Sequence, residues 1–195
     1  AGVEPATDEV LDQTKAIINN RGNLAADGNI TLKAYGSDLQ GGNSAVTNIG
    51  AIHSSSRIDM QALNGSVTNM AEIGGYPAEG TDDSAIPGNV TITAKKNIYN
   101  GFSETDVKTT VKAHQVTIRA EEGSVDNYIN VVSTTGDAEI IAGTSVLNKG
   151  NIIANAANTV INAGTFVENY GNMRAYEAST ITAGTYITNN GSMNA

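Results

Sequence analysis

Seven short runs along the chain put an apolar or small residue at every second position and close on alanine. They are ITLKA (Ile30 to Ala34), IDMQA (Ile58 to Ala62), VTITA (Val90 to Ala94), VTIRA (Val116 to Ala120), AEIIA (Ala138 to Ala142), TVINA (Thr159 to Ala163) and STITA (Ser179 to Ala183). In VTIRA, Val116, Ile118 and Ala120 share one face, while Thr117 and Arg119 share the other. A period of two is the mark of a strand with one buried face. The closing alanines are 28, 32, 26, 22, 21 and 20 residues apart. The period tightens toward the C-terminus, and the early excess is assigned to loops.

A second phrase follows most runs: a small residue, an aliphatic one, any residue, then Asn, as in SVTN (Ser66 to Asn69), SVDN (Ser124 to Asn127), SVLN (Ser145 to Asn148), FVEN (Phe166 to Asn169) and YITN (Tyr186 to Asn189). The tightest copies turn at Gly150, Gly171 and Gly191 and continue into a third run, NIIA, NMRA or SMNA. The segment INNRGNLAA, Ile18 to Ala26, fits the same end-phrase. The repeating unit is therefore three short strands with sharp corners, and it cannot bury its apolar face alone. Helical repeats do not fit, because no repeat shows a 3.6-residue period. Antiparallel hairpins leave the shared register of successive copies unexplained. The pattern predicts an all-β, right-handed parallel β-helix of about eight coils, with ~20–22 residues in each regular coil. At ~4.8 Å per coil it forms a rod roughly 40 Å long.

Kept letters are expected inside and varied letters outside. Val146, Val167 and Ile187 form one inner row, Ile140, Ile161 and Ile181 another, and Ala142, Ala163 and Ala183 a third. Leu147, Glu168 and Thr188 occupy an outward position and share no chemistry. Two readings stay open for Asn148, Asn169 and Asn189. They form a ladder of stacked amides, or Asn simply tolerates a left-handed corner. Both roles are structural. Residues 1–18 read as an N-terminal cap or a degenerate coil, with Thr7 to Ile18 a candidate short helix. Residues 19–195 read as a single β-helix domain with an extended loop at 74–88 and an irregular insertion at 102–110.

Composition narrows the function. With 11 Lys plus Arg against 20 Asp plus Glu, and a net charge of −9, the chain repels a phosphate backbone, so nucleic acid is excluded as a partner. The absence of cysteine removes disulfides and thiolate chemistry. No apolar run reaches the ~18 residues of a membrane span, and no signal peptide opens the chain. Ending directly on a repeat suggests an excised piece of a longer protein.

Room for a ligand exists where the period breaks. In the acidic loop Gly74 to Gly88, Tyr76, Glu79, Asp82 and Asp83 are candidate contacts for a sugar or a cation, against the plainer reading of a solvated excursion. Phe166 and Tyr186 fall at equivalent outward positions one coil apart, as a stacked pair or as an aromatic platform. His53 and His114 have no ligand set around them. Ser54, Ser55 and Ser56 lack the nucleophile-elbow turn. Asp82–Asp83 and Glu121–Glu122 are adjacent in sequence and make poor acid/base pairs. No catalytic residue, cofactor or metal site is expected.

The phrases GNITLKA, GNVTITA, SVTNMAEI, SVLNKGNIIA and FVENYGNMRA resemble the coils of filamentous haemagglutinin-type exoproteins, bacterial surface proteins of the two-partner secretion type. The resemblance runs from about Ile17 to Ala195. It implies a long right-handed β-helix, secretion through an outer-membrane partner, and a place on the bacterial surface. The implied roles are adhesion to a host-cell receptor or glycan, biofilm formation, or a stalk that displays a toxin. The alternatives are a β-helical polysaccharide lyase or hydrolase, and a self-assembling spacer.

Overall fold

The computed structural model describes residues 17–39, 44–74, 88–103 and 109–195. Among them every regular element is a β-strand. The strands are two to six residues long, and they stack into three parallel sheets of eight, eight and seven strands. The chain winds through the three sheets in turn. One regular coil consists of Phe166–Asn169 in the first sheet, Met173–Ala175 in the second and Ser179–Ala183 in the third. Each strand pairs in parallel with its equivalents one coil before and one coil after. This is the right-handed parallel β-helix of about eight coils that the repeat predicts.

Register follows the sequence phrases. The runs closed by alanine form the third sheet, and Ala34, Ala62, Ala94, Ala120, Ala142, Ala163 and Ala183 pair in one row. The aliphatic-x-Asn phrases form the first sheet, from Ile18–Asn20 to Tyr186–Asn189. A one-residue slip would turn every buried side chain to solvent, so the alternation fixes the pairing.

The core is a bore lined from three sides. Val125, Val146 and Val167 of the first sheet, Val131, Ile152 and Met173 of the second, and Ile118, Ile140 and Ile161 of the third are fully buried. Branched aliphatic residues suit this narrow interior, where each coil touches only its neighbours. The last coil differs. Ile187 continues the valine row in register but is 47% exposed.

Corners are tight because one coil sits directly on another. A Cβ at Gly171 would collide with the carbonyl of Gly150 one coil below, and one at Gly164 with the carbonyl of Gly143. Glycine is required at these corners for close approach. Gly101 is a different case, with a left-handed φ of 82°.

The sequence-predicted cap or degenerate coil at 1–18 lies almost wholly outside the described residues, as does most of the loop at 74–88. At the 102–110 insertion, Thr110 already opens a second-sheet strand, Thr110–Ala113.

Candidate functional site

The strongest polar feature is internal. Asn20, Asn48, Asn69, Asn100, Asn127, Asn148, Asn169 and Asn189 end the strands of the first sheet and stand in one column. Each Nδ2 donates to the Oδ1 of the next Asn at 2.7–2.9 Å. From Asn48 to Asn169 these side chains are completely buried. At Asn69, Asn127, Asn148, Asn169 and Asn189 the second Nδ2 proton serves the Asn's own corner. Asn127 donates to the Ile129 carbonyl at 3.0 Å, Asn148 to Gly150 at 2.9 Å and Asn169 to Gly171 at 2.9 Å. The backbone carbonyl of each rung accepts from the next coil, as in Tyr170 N–H to Asn148 O at 2.7 Å. Both amide protons and the amide oxygen are thus used, which is how a fully buried carboxamide avoids its desolvation cost. The first-sheet strands INN, VTN and IYN carry the same aliphatic-x-Asn signal in the early coils, where longer loops obscure it.

A second polar row runs outside at the next corner. Asn151 donates its backbone N–H and its Nδ2 to Asn130 Oδ1, both at 3.1 Å, and Asn172 N–H donates to Asn151 Oδ1 at 3.1 Å. The serines beside His53 are staples of the same kind. Ser54 and Ser55 donate to the Gly28 and Asp27 carbonyls of the coil below, both at 2.8 Å. Ser56 donates to Asn29 Oδ1 at 2.7 Å.

The outer faces are unequal. The first sheet and the corner that follows it carry Tyr99, Phe102, Tyr128, Phe166, Tyr170 and Tyr186, six of the chain's two Phe and seven Tyr. Phe166 and Tyr186 stack with ring centroids 5.0 Å apart and planes 1° apart, and Tyr99 stacks on Phe102 at 6.4 Å. The Lys149 ammonium lies 5.3 Å from the centre of the Tyr128 ring. In each stacked pair the rings cover one face of each other, while Phe102 and Tyr186 stay 56% and 48% exposed. Asp126 shares the outward row with Tyr99, Leu147, Glu168 and Thr188. Partial burial pushes its carboxyl above the usual carboxylate value.

Charge pairs are scattered. Arg57 Nε meets Asp59 at 2.8 Å, while Lys95–Glu122 and Lys96–Asp38 are loose pairs at 3.8 Å. Asp38 also accepts the Ser66 N–H at 2.6 Å and the Ser66 hydroxyl at 2.8 Å, tying a corner together. His114 Nδ1 is 3.0 Å from Thr134 Oγ1. Among the described residues no three His, Cys, Asp or Glu side chains are placed to hold a metal ion, and no helix is long and apolar enough to cross a membrane. One concavity among the described residues is lined by Gln61, Thr93, Lys95 and Glu121. The loop candidates Tyr76, Glu79, Asp82 and Asp83 lie outside the described residues.

The sequence model of one family, described as the haemagglutinin repeat, matches residues 6–70 and 83–194. The matched stretches include every described residue from Ile17 to Met70 and from Gly88 to Asn194, and the unmatched residues 71–82 fall between the strands Val67–Asn69 and Asn89–Ala94. No curated protein and no solved structure matches the chain.

Proposed function

The chain belongs to the haemagglutinin repeat family, and from that membership we propose that it is a non-enzymatic length of shaft in a secreted, surface-displayed bacterial adhesin. The observation that carries this reading is the run of family repeats through the same residues that wind in register, coil after coil. A shaft needs length, stiffness and an inert surface. Stacked coils give length, the buried amide column gives stiffness, and staples committed to backbone leave few reactive side chains. Secretion through an outer-membrane partner belongs to the same reading, since a repeat rod can fold coil by coil as it emerges.

Recognition of a host-cell receptor or glycan is placed at the insertion, with Tyr76, Glu79, Asp82 and Asp83 as contacts. The support is that the family match breaks over 71–82 and that long excursions from a regular scaffold often carry binding. A polysaccharide lyase or hydrolase has less support: the outward row holds two carboxylates, Asp126 and Glu168, but Leu147 stands between them, and Leu147, Glu168 and Thr188 of the last coils form no cluster of carboxylates and basic residues.

The test is binding of the purified chain to host cells and to a glycan array, beside a variant with residues 76–87 replaced by a short Gly/Ser linker. Binding that the variant loses supports recognition at the insertion. No binding by either protein removes recognition from this segment and leaves the shaft. Release of reducing sugar from a polysaccharide would overturn the non-enzymatic reading.

A further inference from the structure

The chain holds three Asn–Gly peptides: Asn64–Gly65, Asn100–Gly101 and Asn190–Gly191. Asn–Gly is chemically labile because glycine has no Cβ to keep its amide from swinging over the Asn side chain. The glycine nitrogen loses its proton and attacks Asn Cγ. The new C–N bond closes a succinimide as the carboxamide nitrogen leaves as ammonia. Solvent water then opens the ring at either carbonyl, giving aspartate or isoaspartate. The step needs nitrogen and carbon in a near-attack arrangement, and ring opening needs water.

The three sites differ in both respects. Asn100 is a rung of the buried column and is 0% exposed. Its Nδ2 donates to Asn127 at 2.7 Å and its Oδ1 accepts from Asn69 at 2.9 Å. The would-be nucleophile, the Gly101 amide, donates to the Asn69 carbonyl at 2.7 Å. Electrophile and nucleophile are therefore both held by neighbouring coils, in a core that excludes water. Asn64 is exposed at a corner between the third and first sheets. Its Nδ2 reaches the Tyr35 carbonyl at 2.8 Å, but the Gly65 amide has no acceptor among the described residues. Asn190 is exposed too. Its side chain has no partner among the described residues, and the Gly191 amide makes a longer bond of 3.3 Å to the Asn169 carbonyl.

We propose that Asn64 and Asn190 are sites of spontaneous deamidation on the folded rod, and that the amide column protects Asn100 from the same chemistry. The change at Asn64 has a structural consequence. It removes the donor to Tyr35 and places a new carboxylate at the corner that Asp38 ties together, where Gly65 is packed against Asp38 and Ala45.

The test is to incubate the purified chain in mildly alkaline buffer, folded and in parallel in guanidinium. Each Asn–Gly peptide is then followed by mass spectrometry after digestion, with isoaspartate methyltransferase labelling. In denaturant all three sites convert at comparable rates. In the folded chain Asn64 and Asn190 convert progressively, while Asn100 converts slower than in denaturant by about tenfold or more, because only opened molecules react. An Asn64→Gln variant loses the Asn64 signal and keeps that of Asn190. Conversion of Asn100 in the folded chain at its denatured rate, or no conversion of Asn64 and Asn190 in the folded chain, would overturn the proposal.

Discussion

A single interior asparagine holds three partners at once. Asn148 accepts from Asn127 and donates to Asn169 and to the Gly150 carbonyl. Asn148→Ala strands all three in a dry core, where each unmet group costs about 1–3 kcal/mol. The expected loss is about 2–4 kcal/mol in equilibrium urea unfolding. Asn189→Ala, at the exposed last rung, removes the same atoms where water replaces them, and costs less than about 1 kcal/mol. Equal losses from the two variants would remove the column as a source of stability. Asp126 is a residue-scale case with the opposite sign. Its carboxyl is raised by burial, so the folded state binds its proton more tightly than the unfolded state does. Stability from this group is present at low pH and declines as pH rises from the ordinary carboxylate value through the raised one. Asp126→Asn is therefore expected to flatten that decline and to leave the chain at least as stable at neutral pH, as read from melting temperature across an acid-to-neutral series.

At the scale of the strand and corner, glycine tests how closely coils approach. Gly171→Ala drives a methyl group into the Gly150 carbonyl, which is backbone and has no room to give. The expected cost is about 1–3 kcal/mol. Gly28→Ala meets nothing within 4 Å and is expected to be near neutral, so thermal melts of the pair separate packing from loss of glycine itself. Much of this level was legible in the sequence. The run closed by alanine fixed the third sheet, and aliphatic-x-Asn fixed the first, because inward positions repeat while outward ones drift. The second-sheet strands of the early coils were harder to see. Ile52–Ser54, Ile73–Gly74 and Thr110–Ala113 are too short for alternation to register. The serine staples beside His53 were not legible either, since their acceptors are carbonyls 26 and 28 residues away and a carbonyl carries no sequence signal. The aromatic pair was visible as equivalent positions, but its ring-on-ring geometry was not, because spacing does not set χ angles.

Over the whole molecule, stability is a sum of coils and of contacts between neighbouring coils. The middle coils bury their inner residues completely, whereas Ile18, Leu24, Ile30 and Leu32 of the first coil are only partly covered, and Ile187 and Met193 of the last are exposed. Amide hydrogen exchange is expected to be slowest from Thr110 to Ala175 and fastest in Ile18–Ala34 and Tyr186–Asn194, a gradient measurable by mass spectrometry. Uniform protection from end to end would mean that the rod opens as one unit. The direction of the inter-coil hydrogen bonds also has a mechanical side. They point along the rod, so a pull between its two ends loads them in opening, one layer at a time. Each yielded coil gives up ~4.8 Å of rod and, from the 21-residue spacing of Asn148 and Asn169, frees roughly 70 Å of chain. A tether made of such coils pays out slack under drag in many small steps, and rewinds from the nearest intact layer when the drag is gone.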